Sequence, residues 1–229
     1  MLFRSEIVTY LWSKPNGVST DQFANDLWPH KNYTGTDSEP KNMASQARHW
    51  LGSDPRTGEE YIPRAKRGDM QGYRINGLLV DYDLFRRLRA RGEARGADGL
   101  VDLVAALNLV SGTPLTDRGF GYEWLPAGEE LLYQGAVAEV AHLVATRALE
   151  AGDDAEALRA CEIALQFDDA DDRALLAMVK AHENAGREAE KKATILRLTT
   201  LEDPPARTDR KSTRLNSSHS GESRMPSSA

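Results

Sequence analysis

Pro40-Lys41-Asn42-Met43-Ala44-Ser45-Gln46-Ala47-Arg48-His49-Trp50-Leu51-Gly52 carries its own start and stop signals. Proline suits the first helical turn, where a missing N–H costs nothing, and glycine suits the residue just past the end. The segment therefore predicts a helix over residues 40 to 51. At about 3.6 residues per turn, Met43, Ala47, Trp50 and Leu51 fall on one face. Lys41, Asn42, Ser45, Arg48 and His49 fall opposite, with Gln46 flanking them. Such donor-rich side chains suit phosphates and base edges in a major groove, although an ordinary solvated helix face has the same spacing.

The flanking residues extend the pattern. Upstream, Ile7, Tyr10 and Leu11 recur at helical spacing within residues 6 to 13, and Pro15-Asn16-Gly17 ends that helix as a turn. Ser19-Thr20-Asp21-Gln22 fits a capping box, with Val18 and Phe23 placed as a hydrophobic staple, so a second helix is predicted from Thr20 to Leu27. Pro29 stops it, and a polar loop leads to Ser38. Downstream, Tyr61-Ile62-Pro63-Arg64-Ala65 and Gly72-Tyr73-Arg74-Ile75 read as short strands joined by Lys66-Arg67-Gly68-Asp69-Met70-Gln71. Pro63 implies an edge strand. The hairpin concentrates Arg64, Lys66, Arg67 and Arg74, as a wing against a phosphate backbone requires. Residues 6 to 76 thus predict a winged helix-turn-helix that contacts double-stranded DNA through Lys41, Asn42, Ser45, Gln46, Arg48, His49, Arg64, Lys66, Arg67 and Arg74.

Beyond Val80 the chain is Ala/Leu-rich and acidic. Residues 1 to 75 hold 10 Lys/Arg and 9 Asp/Glu, residues 76 to 208 hold 15 and 24, and residues 209 to 229 hold 4 and 2, for a net charge of -6. A nearly neutral head still binds DNA if its cations share a face. Helices are predicted from Asp81 or Asp83 as caps through Leu88, from about Ala97 to Val110, and from about Glu129 to Glu150. Between the last two, residues 111 to 128 read as a loop pinned by Phe120, Tyr122 and Trp124. Ala151-Gly152 and Ala185-Gly186 lie 34 residues apart, the period of tetratricopeptide helix pairs. That period predicts close helix contacts at Ala155, Ala189 and Ala193 in a TPR-like domain over residues 80 to 203. Such pairs bind partner proteins or self-associate, and a merely stabilising helical bundle has the same pattern.

Several chemistries are excluded by composition and spacing. No apolar run among the 229 residues reaches the roughly 20 needed to span a bilayer, and no signal peptide is visible, so a cytoplasmic protein is expected. Cys161 is the sole cysteine and reads as a small core residue. His30, His49, His142, His182 and His219 are too scattered for ligand spacing, and Asp168-Asp169-Ala170-Asp171-Asp172 lacks the glycine and final glutamate of a calcium loop. It serves better as a turn and N-cap. No cofactor, metal, small-molecule substrate or enzyme activity is expected. Both ends look foreign: Asp209-Arg210-Lys211-Ser212-Thr213-Arg214-Leu215-Asn216-Ser217-Ser218-His219 resembles a translated sequencing adapter, as do residues 1 to 5. Residues 209 to 229 are accordingly expected to be a disordered tail.

Val18-Ser19-Thr20-Asp21-Gln22, Leu27-Trp28-Pro29, Arg48-His49-Trp50-Leu51-Gly52, Tyr73-Arg74-Ile75 and Val80-Asp81-Tyr82-Asp83-Leu84-Phe85 follow one another as in a known family. The order resembles the OmpR-like winged-helix heads of actinobacterial regulators that carry a bacterial transcriptional activator domain, such as the Streptomyces antibiotic regulatory protein family. Ser111-Gly112-Thr113-Pro114-Leu115, Tyr122-Glu123-Trp124 and Ala141-His142-Leu143 look like the activator domain, and the resemblance covers residues 6 to 203. It is most similar to the C-terminal part of large proteins that pair this module with a LysM domain. The resemblance implies a transcriptional regulator whose third helix enters the major groove, whose wing touches the minor groove or backbone, and whose helical domain self-associates or contacts the transcription machinery. It also leaves a second expectation: a protein-interaction module, without DNA binding, of a larger membrane-associated signalling or LysM-containing protein. The strands that the family places before the first helix are absent here, and its third helix is usually more basic.

Overall fold

The computed structural model describes residues 2–33, 37–65, 72–112, 121–126 and 128–202. The fold is mainly α-helical. In order run α1 (Leu2–Ser13), α2 (Thr20–Leu27), α3 (Ser38–Leu51), α4 (Asp81–Ala94), a 3-10 turn (Gly96–Gly99), α5 (Leu100–Leu107), α6 (Glu129–Ala151), α7 (Asp154–Leu165), α8 (Asp172–Asn184) and α9 (Glu188–Glu202). None of the described helices is long and apolar enough to cross a membrane.

Local chemistry accounts for most helix ends. Ser19 Oγ accepts the Gln22 N–H at 3.1 Å, so the hydroxyl caps α2 as its sequence predicts. Gly52 closes α3 with φ 77°, a conformation that disfavours any side chain. Asp171 caps α8 by accepting from the Ala174 N–H at 3.0 Å. Two expectations fail here. Neither Asp81 nor Asp83 caps α4, whose N-cap is Val80 without a side-chain bond; Asp83 instead accepts from Trp12 Nε1 at 2.8 Å. The first helix also starts at Leu2 rather than Glu6, and the Ser5 carbonyl accepts from Thr9 Oγ1 at 2.9 Å.

The head closes on an aromatic core. Ile7, Tyr10, Leu11, Val18, Phe23, Trp28, Ala44, Ala47, Ile62 and Tyr73 pack together, with Phe23 and Tyr73 rings 4.6 Å apart. The expected hairpin is reduced: among the described residues no strand forms, and pairing is confined to isolated bridges. Val18 and Tyr73 exchange N–H···O bonds of 2.9 and 2.8 Å, while Asn76 donates to the Tyr61 carbonyl at 2.8 Å. The physical reason is local. Pro63 offers no donor to a ladder, and Tyr73 directs its backbone to the turn between α1 and α2 instead. Residues 66–71 lie outside those described.

A second core gathers Phe85, Leu103, Ala106, Leu107, Val137, Val140, Ala141, Val144, Ala160, Cys161, Ile163, Ala164 and Ala174. Within it α6 packs against α7 and α8, and outside it α9 packs against α8. Gly152 and Gly186 both adopt left-handed conformations, with φ 76° and 68°, so the turns 34 residues apart share one geometry. The small residues expected at the contacts do not lie there. Ala155, Ala189 and Ala193 are exposed. The inward positions belong to Ala157, Ala160 and Ala164 on α7 and to Ala174 and Ala181 on α8, because these share the helical stripe of Leu158, Cys161 and Leu175. The 34-residue spacing marks the turns but leaves that stripe undetermined.

The halves touch through α1. Trp12 meets Tyr82 edge-on with ring centroids 6.1 Å apart, and Trp124 lies 5.2 Å from Tyr10. The Glu6 carboxylate, 5% exposed, accepts from the Tyr122 N–H. Tyr122 and Trp124 thus pin residues 121–126 to the head. Phe120 and the rest of 113–120 lie outside the described residues, as do residues 203–229.

Candidate nucleic-acid interface

The candidate surface is the outer side of α3. Pro40, Ala44 and Ala47 are buried on its inner side, and α1 packs against the helix there. Ala44 and Ala47 have no exposure, and their small side chains admit the aromatic core closely. Lys41, Asn42, Ser45, Gln46 and His49 are all exposed. Their spacing puts them on one continuous strip of α3.

Two side chains depart from their predicted faces. Arg48, expected among the outward donors, is 14% exposed and turns inward. Its Nε donates to the Ile62 carbonyl at 2.7 Å and its Nη2 to the Pro63 carbonyl at 3.3 Å, with Glu60 3.7 Å from Nε. It fastens residues 60–63 to α3. A charged donor satisfying two carbonyls is a strong tether, and among the described residues no backbone N–H bonds either carbonyl. Trp50, expected on the inner face, is 52% exposed. Position 48 flanks the buried Ala47 while position 50 flanks the outward His49, so a small rotation of the helix exchanges the two. Sequence spacing signalled neither Arg48's tether nor the contribution of Glu60; Pro63, with its unpairable nitrogen, was the one hint.

The N-terminal end of α3 is acidic. Glu39 accepts from the Tyr33 hydroxyl and from Lys31 Nζ, the latter at 3.3 Å. The Tyr33 hydrogen bond, then that of Lys31, holds the Glu39 carboxyl below its ordinary range. A carboxylate there complements the helix dipole and competes with any phosphate drawn to the same end. Arg64 is exposed and Arg74 half-buried, whereas Lys66 and Arg67 lie outside the described residues. Burial raises the hydroxyls of Tyr73 and Tyr10 above the ordinary tyrosine range, and Asp26 reinforces this at Tyr10 by accepting a hydrogen bond from its hydroxyl at 2.7 Å. Both rings belong to the head's core.

Among the described residues no group of three His, Cys, Asp or Glu could hold a metal ion. His142 Nε2 lies 2.6 Å from Asp171 Oδ2 beneath the α7–α8 turn, and His182 is 7% exposed, so both pack within the helical half. Cys161 is buried, with its thiol pushed up to about 12 by burial first and by Asp171 and Glu162 next. No protein family, curated protein or solved structure matches this chain.

Proposed function

We propose that the protein is a DNA-binding transcriptional regulator, with residues 6 to 76 acting as a winged helix and residues 80 to 203 as a TPR-like surface for self-association or for the transcription machinery. The observation that carries this reading is the exposed strip Lys41, Asn42, Ser45, Gln46 and His49 on a helix whose opposite side buries Pro40, Ala44 and Ala47. A rigid helix presenting amide, hydroxyl and imidazole groups suits base edges. Exposed Arg64 follows the Pro63 carbonyl that Arg48 ties to α3, and Val18 paired with Tyr73 braces the segment bearing Arg74. Catalysis has no place in this reading.

Trp50 favours a second reading. A half-exposed indole beside His49, with Glu39 at the helix start and Arg48 withdrawn, suits a protein partner better than a phosphate backbone. A salt titration on a promoter-derived duplex separates the two. Each phosphate contact adds about 0.9 to the slope of log K against log salt, so Lys41→Ala and Arg64→Ala should each weaken binding and flatten that slope by about one contact. A chain with no salt-dependent duplex affinity would leave the interaction-module reading in its place.

A further inference from the structure

A cleft of about 540 Å³ runs between α4 and α6. Its floor is apolar: Phe85 is 3% exposed, and Tyr82, Ala90 and Ala136 line the walls. At one end Arg89 bonds Glu93 at 2.8 Å and Glu139 at 2.6 Å, so this arginine is shared between two carboxylates and that cluster keeps one negative charge. Asp83, the remaining acid of the cleft, accepts from Trp12. Arg86 and Arg87 also line it, are exposed, and pair with no carboxylate among the described residues. They contrast with Arg89, Arg91, Arg95 and Arg159, each of which holds an acidic partner.

From α6 the cleft is lined by Ala136, which shares one helix face with Leu132 and Glu139 at i−4 and i+3; Leu132, one turn from the cleft, is 71% exposed beside Leu131 at 64%. Tyr82 and Tyr133, with rings 4.6 Å apart, join the helices near that end. An apolar floor rimmed by two exposed guanidiniums, Arg86 and Arg87, which pair with no carboxylate among the described residues, is therefore present in the acidic half of the chain.

We infer that the α4–α6 cleft receives an acidic amphipathic helix of a partner protein. Apolar side chains at i, i+4 and i+7 of such a helix would lie on Ala90, Ala136 and Leu132, and its flanking carboxylates would meet Arg86 and Arg87 as charge-assisted pairs. From Tyr82 to Glu93 the wall of α4 is about 16 Å long at 1.5 Å per residue, which sets the occupant at about three helical turns. A duplex would satisfy the two arginines but leave the apolar floor unused. This inference does not rest on DNA binding by the head.

The probe is a fluorescein-labelled peptide of about 12 residues, with leucines at i, i+4 and i+7 and glutamates on the flank. A glutamine-for-glutamate counterpart and a scrambled peptide accompany it, and anisotropy is read with the full chain at low and high salt. The acidic peptide should bind, with the glutamine version weaker by about fivefold or more. The Arg86→Ala/Arg87→Ala double variant should lose about fivefold to tenfold and most of the salt dependence, and Leu132→Ser should weaken both peptides. Far-UV melting establishes that these surface variants stay folded. Absent binding, equal binding of the glutamine peptide, or indifference to the arginine pair overturns the inference. It is also overturned if the arginine pair instead governs binding of a labelled duplex, or self-association measured by sedimentation.

Discussion

Gly99→Ala is expected to loosen the junction between α4 and α5. The backbone of Gly99 has φ −84°, open to any residue, so the demand for glycine comes from space alone. A Cβ added there would overlap the Gly92 carbonyl oxygen and lie 2.7 Å from its carbon, both fixed atoms of α4. Gly92 is constrained in return, since its Cβ would meet Leu103 Cγ at 2.7 Å. Relief requires α4 and the turn to part, which disturbs the fully buried Leu103 behind them. Overpacking costs about 2 kcal/mol in the middle of its usual range, while the stiffer unfolded chain returns about 0.7, leaving a net loss of about 1.3 kcal/mol. Gly135→Ala in α6 is the control. Nothing lies within 4 Å of the point its Cβ would occupy, so alanine should stabilise the helix by about 0.5 to 1 kcal/mol. Urea unfolding followed by far-UV circular dichroism reads both as midpoint shifts of opposite sign at constant m. A Gly99→Ala protein as stable as the parent would refute the glycine-to-glycine contact.

Three further outcomes are expected. Ala155→Leu should change stability by less than about 0.5 kcal/mol because Ala155 is exposed, whereas Ala160→Leu should cost about 1 to 3 kcal/mol in the same urea assay; equal effects would contradict the observed helix stripe. Asp102 is buried and bonded to Arg91 at 2.5 Å and Arg95 at 3.0 Å, and the Arg91 bond chiefly holds its carboxyl below the ordinary range. Its contribution is therefore present above the unfolded pKa of about 3.9 and lost as pH falls through the lower folded value, so Asp102→Asn should flatten that part of the acid-unfolding profile; an unchanged profile would count against it. Cys161, 1% exposed with its thiol raised to about 12, should resist a disulfide reagent at pH near 8 until urea unfolds the chain, and prompt native labelling would contradict its burial.

The amino-acid sequence by itself determined where most helices begin and end. Ser19 reaches Gln22, Asp171 reaches Ala174, and Gly52 and Gly152 turn the chain out of a helix, all through interactions among residues three or four apart. Such signals survive whatever the rest of the molecule does. The mainly helical class and the apolar stripe of α1 were legible for the same reason. Only the tertiary structure decided which border residues face inward. Arg48 is drawn in by carbonyls 14 and 15 residues away, Asp83 is taken from its helix end by Trp12, 71 residues earlier, and Ala155 is left outside because Ala157 and Ala160 meet the neighbouring helices. A helical period marks a stripe to within about one residue on each side, and the partner that settles the remainder belongs to a distant part of the chain.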